Sequence, residues 1–260
     1  MLDLHVHSLY SVDGQETPEV LCGAAVAAGV SVLCISDHLD MNPQDYGFGF
    51  YREAACREDV LGCQRAYAGR LEVLWGVEMG EPHLFPKDMA ALQDVGYDCI
   101  LGSIHWIDGR FVSQIDDMDF LWRRYYGDMI ASIATGGFDV LAHFDFPKRY
   151  HGPRPGGAAL DALELSALQT AADAGLALEI NTSTLRQGMQ ETAPGCALVA
   201  RWAALGGQRV TVGSDAHTCG EVGVGVDTID MAWLAGLGLQ VGYFRQRVFV
   251  PWENGAAYGR

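Results

Sequence analysis

The chain is short of basic residues, paired cysteines and long apolar runs, and each shortage excludes something. Lys and Arg number 17 against 33 Asp and Glu, a formal net charge of -16 over 260 residues. Nucleic-acid backbones are gripped by Lys and Arg that displace counterions, so no long nucleic acid is expected as a partner. A small phosphorylated molecule stays open, because carboxylates gathered around divalent cations count as bare negative charge when the cations are left out. The seven cysteines, Cys22, Cys34, Cys56, Cys63, Cys99, Cys196 and Cys219, are odd in number and include no C-x-x-C pair. That pattern fits reduced thiols packed as small hydrophobes and not a disulfide framework. No apolar stretch has the length of a bilayer crossing, and His5 stands too near the start for a removable signal peptide to precede it. A cytoplasmic protein without a membrane partner is therefore expected. Repeats of solenoid period, low-complexity tracts and long linkers are also missing. With 49% hydrophobic composition, a single domain spanning 1–260 with one large core suits this length better than two domains.

What the chain does have is alternation. Short apolar runs separated by helix-like segments are the pattern of repeated βα units and a mostly parallel sheet. Strands are expected at 2–6, 30–35, 71–77, 99–103, 139–142, 177–180 and 209–212, with one more within 240–250. Helical spacing of apolar residues marks 18–28, 51–68, 120–134, 158–174 and 196–205. Thr17 before Pro18 reads as an N-cap followed by proline in the first turn, and Gly29, Gly175 and Gly206 stand where helices stop. The Pro/Gly-rich stretch 151–157 reads as a loop after the fifth strand.

Chemistry gathers where the strands end. Asp3-Leu4-His5-Val6-His7 places two imidazoles at i and i+2 of a strand, on one face. Ser36-Asp37-His38, Gly76-Val77-Glu78, Ser103-Ile104-His105, Ala142-His143-Phe144-Asp145 and Ser214-Asp215-Ala216-His217 each set a ligand type just after a strand. In a parallel α/β barrel all these carboxyl ends open on one face, so residues distant in sequence converge there. His83 and His151 stand outside the pattern and read as loop histidines, His151 with an option to face a substrate. Imidazole nitrogens with carboxylate oxygens suit Zn, Mn or Fe(II), and no thiolate accompanies them. The nine candidates, His5, His7, Asp13, His38, Glu78, His105, His143, Asp215 and His217, exceed what one ion uses. Two or three divalent ions are expected, with Glu78 or Asp215 bridging, in the arrangement that clamps a phosphoryl oxygen.

In this order and spacing, H-x-H, S-D-H, G-x-E, S-x-H, A-H-x-D and S-D-A-H resemble the polymerase and histidinol phosphatase (PHP) superfamily over most of the chain. With Tyr125-Tyr126, the segment 137–145 and Glu179-Ile180-Asn181-Thr182-Ser183, they look most like its stand-alone histidinol phosphatases. The resemblance implies a distorted (β/α)7 TIM-like barrel and three divalent metal ions. It implies one ion at His5, His7, Glu78 and Asp215, a second at Glu78, His105 and His143, and a third at Asp13, His38 and His217. Several superfamily members carry a histidine where this chain has Asp13, which also reads as a turn residue in Ser11-Val12-Asp13-Gly14. Arg186 matches the position of a phosphate-binding arginine, and its planar fork of donors suits phosphate oxygens; Lys148 and Arg149 are further candidates for the same anion. The implied activity is metal-assisted hydrolysis of a phosphate monoester, L-histidinol phosphate first, with Arg186, Asp13 and His217 as catalytic candidates. Glu81, Trp106, Asp108 and Asp145 are candidates to receive the amine and imidazole of that substrate. Another phosphomonoester or a short nucleotide keeps the same metals. A metal-binding accessory domain without catalysis is an alternative of a different class, and an amidohydrolase-type barrel shares the opening H-x-H.

Overall fold

The computed structural model describes residues 1–252. In chain order its strands are β1 (Leu2–Val6), β2 (Val32–Ile35), β3 (His38–Leu39), β4 (Glu72–Gly80), β5 (Cys99–Ser103), β6 (Trp106–Ile107), β7 (Arg110–Phe111), β8 (Val140–Leu141), β9 (Ala177–Asn181), β10 (Arg209–Gly213), β11 (Gln240–Arg245) and β12 (Val248–Pro251). Seven of them pair in parallel in the order β1-β2-β4-β5-β8-β9-β10. Buried on both faces, they read as near-continuous apolar runs; β4 is buried at every position.

The ring closes between its first and last members only at their carboxyl ends. There Asp215 N donates to His5 O (2.7 Å) and His7 N to Ala216 O (2.8 Å), around a parallel bridge of Val6 with Ala216. At its start β10 pairs instead with β11, Arg209 opposite Gln240 and Val210 opposite Val241. This split partnership is the distortion of the TIM-like ring. Two apolar layers follow. Leu2, Leu4, Val32, Cys34, Leu74, Leu101, Val140 and Ala177 pack together with Tyr243 and Phe244 of β11, and a larger layer lies between the strands and the helices.

Five helices fall where the apolar spacing predicts them, at Pro18–Ala27, Glu53–Ala66, Met118–Thr135, Ala158–Asp173 and Cys196–Ala204. Thr17 Oγ1 accepts from Val20 N (3.3 Å) as the first N-cap, and Gly29 takes φ 77° just past that helix. Two expectations need correction, and three short helices are added. The run 240–250 is a hairpin of β11 and β12 and not one strand, because Gln246 and Arg247 both take positive φ (48° and 66°) and turn the chain in two residues. His151 ends a one-turn helix, Lys148–His151, so the loop begins at Gly152. Short helices at Pro86–Ala91, Ser183–Arg186 and Met231–Gly236 had no apolar period long enough to mark them. The expected domain range runs on over residues 253–260, which lie outside the described residues. Among the described residues no helix is long and apolar enough to cross a membrane. All seven cysteines are free, with only Cys196 and Cys219 exposed.

Candidate metal centre

The carboxyl ends of the ring strands bring the nine expected ligands into one cluster, with Glu78 at its centre. Glu78 Oε2 lies 3.0 Å from His5 Nε2, 3.2 Å from His38 Nδ1 and 3.6 Å from His7 Nε2. Its Oε1 lies 2.9 Å from His143 Nε2 and 3.5 Å from His105 Nε2. Asp215 Oδ1 forms a second edge, 3.3 Å from His7 Nε2 and 3.9 Å from both His5 Nε2 and His217 Nδ1. Asp13 Oδ2 closes the outer side, 3.1 Å from His217 Nε2 and 3.8 Å from His38 Nε2. Four overlapping triplets place their donor atoms within 4.8 Å of one another: His5-His7-Asp215, His5-Glu78-His143, His38-Glu78-His105 and His7-His38-His217.

The charges in this cluster pull against burial. Burial by itself would raise the Glu78 carboxyl, but His5, His38 and His105 hold it well below the ordinary range. Asp215 behaves alike: burial opposes ionisation, and Arg149 followed by His5 overcomes it. His105 is pushed up to about 9, burial being outweighed by Glu78. His7 goes the other way, down to about 3, through burial and then the neighbouring His38 and His217. A neutral imidazole amid anionic oxygens is what a metal ligand requires. Two buried nitrogens aimed at the cluster, His7 Nε2 and His38 Nδ1, face carboxylate oxygens at 3.3 and 3.2 Å without forming well-directed hydrogen bonds. An unpaired buried polar atom costs about 1–3 kcal/mol, and a cation relieves it. The donor set therefore fits divalent metal ions.

A second set of residues holds the ligands in place. Glu179 on β9 takes His5 Nδ1 on Oε1 (2.6 Å) and His143 N on Oε2 (2.7 Å). Asp37 binds Ser8 and Ser11, and Ser11 Oγ in turn touches His7 Nδ1 (3.1 Å) and accepts from His38 N (2.8 Å). Asp3 Oδ1 accepts from Ser214 N (2.8 Å) and Oδ2 from Gly223 N (2.7 Å), tying the loop after β10 to β1. Gly213 leaves room for this arrangement, since a Cβ there would collide with His5 Cβ and Glu179 Oε1. His143 and Asp215 take positive φ (25° and 56°). Such backbone costs about 1–3 kcal/mol for a residue with a side chain, and here it turns two strand ends inward.

Other expected residues lie elsewhere. Arg149, ranked below Arg186 as an anion ligand, lines the cavity over the cluster. It donates to Asn181 Oδ1 (3.0 Å) and to Asp215 Oδ2, and its Nε is buried without a partner. Arg186 lies outside the cavity lining, donating to the carbonyls of Ser214 (2.5 Å) and Asp215 (2.9 Å). Lys148 is buried on Asp145 (2.7 Å) and Thr192 O (2.6 Å), away from the cavity. Of the substrate-receiving candidates, none lines it. Glu81 accepts from the backbone of His105 and Trp106, Asp108 pairs with Arg124, Asp145 pairs with Lys148, and Trp106 Nε1 donates to Asp45. His151 is held by Val112 O (2.9 Å) and His83 by Ser132 Oγ (2.9 Å). The lining residues that the motifs did not mark are Asp40, Asp45, Tyr46, Phe111, Phe146 and Tyr150.

The family model described as PHP domain matches residues 3–183. This chain is a member of the PHP family. Among its PHP relatives is a Deinococcus radiodurans protein named "Probable histidinol-phosphatase", 31% identical over 86% of this chain and 88% of that one. A Thermotoga maritima protein of the same name is 29% identical over 88% of this chain and 89% of its own length. The PHP fold is shared with the crystal structure of histidinol phosphate phosphatase from Lactococcus lactis, complexed with Zn, L-histidinol and phosphate. The two superpose with a TM-score of 0.84 at 21% identity, over 96% of this chain and 98% of that one.

Proposed function

We propose that this protein is a metal-dependent phosphoric monoester hydrolase that converts L-histidinol phosphate to L-histidinol and phosphate, in the cytoplasm and as one barrel domain over 1–260. The observation that carries the reading is the cluster around Glu78 with Arg149 beside it, since a multi-carboxylate, multi-imidazole centre next to a guanidinium with one donor still unpaired suits a phosphate dianion. The names of relatives aligned over nearly the whole chain support the substrate. Three ions, Zn, Mn or Fe, are assigned by this reading to His5-His7-Glu78-Asp215, Glu78-His105-His143 and Asp13-His38-His217. When bound, they supply Lewis-acid stabilisation of charge on the phosphoryl oxygens.

The protein's own groups do the rest. Arg149 offers its unpaired Nε to a phosphate oxygen, while Arg186, on the carbonyls of Ser214 and Asp215, positions the loop that carries Asp215 and His217. Asp13 stands at the half-open rim beside His217, where the carboxylate oxygen not holding an ion is placed to pass a proton between the leaving alcohol and solvent. The rings of Phe111, Phe146 and Tyr150, packed edge to face, give one wall an apolar surface. Substrate profiling of the purified, metal-loaded protein tests the proposal. L-Histidinol phosphate is expected to exceed phenyl phosphate in kcat/KM by orders of magnitude, and His105→Ala to abolish both activities. Equal turnover of the two esters refutes the substrate; no metal-dependent turnover of either refutes the enzyme.

A further inference from the structure

The cavity has two chemically different sides. Arg149 reaches Asn181 at the end of β9 and Asp215 just beyond β10. Across the ring, Asp40 follows β3, which pairs with β4. The two sides have opposite charge.

Asp40 is the unusual group. It is only 7% exposed, it lines the cavity, and among the described residues its carboxylate has neither a hydrogen-bond donor nor an ion-pair partner. A buried carboxylate normally finds several donors. Its surroundings are built around it. Gly80 brings β4 so close that a methyl there would stand 3.4 Å from Asp40 Oδ1, and at Gly47 a Cβ would collide with Oδ2. The loop carrying Gly47 is fixed by Asp45, whose Oδ1 accepts from Gly47 N (2.7 Å) and whose Oδ2 accepts from Trp106 Nε1. Trp106 packs edge-on against Phe111 (5.9 Å), which meets Tyr150 (5.5 Å), so an aromatic wall runs from the Asp40 side toward Arg149. Arg149 itself lies over the Phe146 ring (4.7 Å).

We infer that Asp40 is a specificity-determining residue that binds the primary ammonium group of the substrate's leaving alcohol, with the flat ring of that alcohol against Phe111 and Tyr150. This deepens the histidinol phosphate reading and rests on it. An ammonium brings three donors to a carboxylate that lacks any. Its distance from Arg149 across the ring then fixes which end of the substrate meets the metals. Discrimination comes from the loss suffered by a neutral ester, which leaves Asp40 buried and unpaired.

The test is a cycle of two proteins and three esters: wild type and Asp40→Asn, with L-histidinol phosphate, its analogue bearing hydrogen in place of the amino group, and phenyl phosphate. A charge-assisted hydrogen bond contributes about 10- to 100-fold. The ratio of kcat/KM for L-histidinol phosphate to that for the deaminated analogue is expected to be that large in wild type and to fall near one in Asp40→Asn, chiefly through KM. A ratio kept by the variant, with both esters slowed together, overturns the proposal and makes Asp40 a support of the metal centre. A wild-type ratio near one overturns it without any variant, so a poorly folding Asp40→Asn does not decide the matter. If wild type prefers L-histidinol phosphate to phenyl phosphate and either of these results is found, only the ammonium site fails. If that preference is missing, the substrate reading fails first.

Discussion

Glu179 never touches the cavity, yet it holds two ligands from opposite sides of the ring, taking His5 Nδ1 on one oxygen and His143 N on the other. Glu179→Gln keeps the shape and removes half of this function. An amide has one acceptor oxygen, so either the imidazole N–H or the His143 amide loses its acceptor and faces an NH2 group instead. A partner that orients a ligating histidine typically contributes 10- to 100-fold in metal affinity, about 1.4 to 2.8 kcal/mol. The variant should therefore bind Zn that much more weakly in a competition titration against a chromophoric chelator, with unchanged far-UV circular dichroism. Glu179→Ala should add an instability of about 1–3 kcal/mol, because the buried His143 N–H is then left unpaired. A folded Glu179→Gln protein that binds Zn within twofold of wild type would falsify the view that the glutamate sets ligand geometry.

Five further outcomes are expected. Gly213→Ala presses a methyl between His5 Cβ and Glu179 Oε1 and should lower unfolding free energy by about 1–3 kcal/mol in denaturant titration; an unchanged midpoint contradicts this crowding. Arg149→Met should lower kcat/KM by about 10²- to 10³-fold, with Arg149→Lys recovering only part because it lacks the planar fork. Lys148→Met, by contrast, should show up in the thermal midpoint, since it strands buried Asp145. Chelating metals present at about a thousand times their Kd removes about 4 kcal/mol of stabilisation, so the midpoint should fall by roughly 8–16 °C; an identical midpoint in calorimetry speaks against a metal bound only by the native state. Burial raises the Glu81 carboxyl from 4.5 to about 7. A folded value above the unfolded one gives stability that is full below pH 4.5 and lost as pH rises through 7. Metal-free Glu81→Gln should thus gain on wild type from pH 5 to 8, by about 3 kcal/mol at most, and a pH-independent difference between the two refutes the assignment.

The ligand cluster was legible because its chemistry follows the architecture. A histidine or carboxylate just past an apolar run needs only a parallel ring to bring it to the common face, and all nine candidates arrive there. The rest of the cavity depends on contacts without a local signal. Asp40, Asp45 and Tyr46 lie on a loop without periodicity, fixed by Trp106 from 61 residues further on. Glu81 and Asp145 sit in comparable segments but turn into the wall, where backbone amides and Lys148 hold them, while Asp108 faces solvent beside Arg124. Arg149 and Arg186 have the same chemistry, and only the carbonyls of Ser214 and Asp215 separate their roles. In β11 and β12 the turn residues Gln246 and Arg247 lack the usual glycine or asparagine, so the hairpin reads as one apolar run.

The closure of β1 against β10 also sets a timetable. His5 and His7 leave the ribosome more than two hundred residues ahead of their neighbours across the seam, Asp215 and His217. At ordinary elongation rates that interval is roughly 10–40 s. For that time the nascent chain carries two imidazoles with no completed site, and the last ligand loop must dock against the first strand before the full set exists. Completion of the ligand set is thereby deferred until β10 and the loop after it have been made, and a chain that stalls before residue 215 is left without the seam on which the centre is assembled.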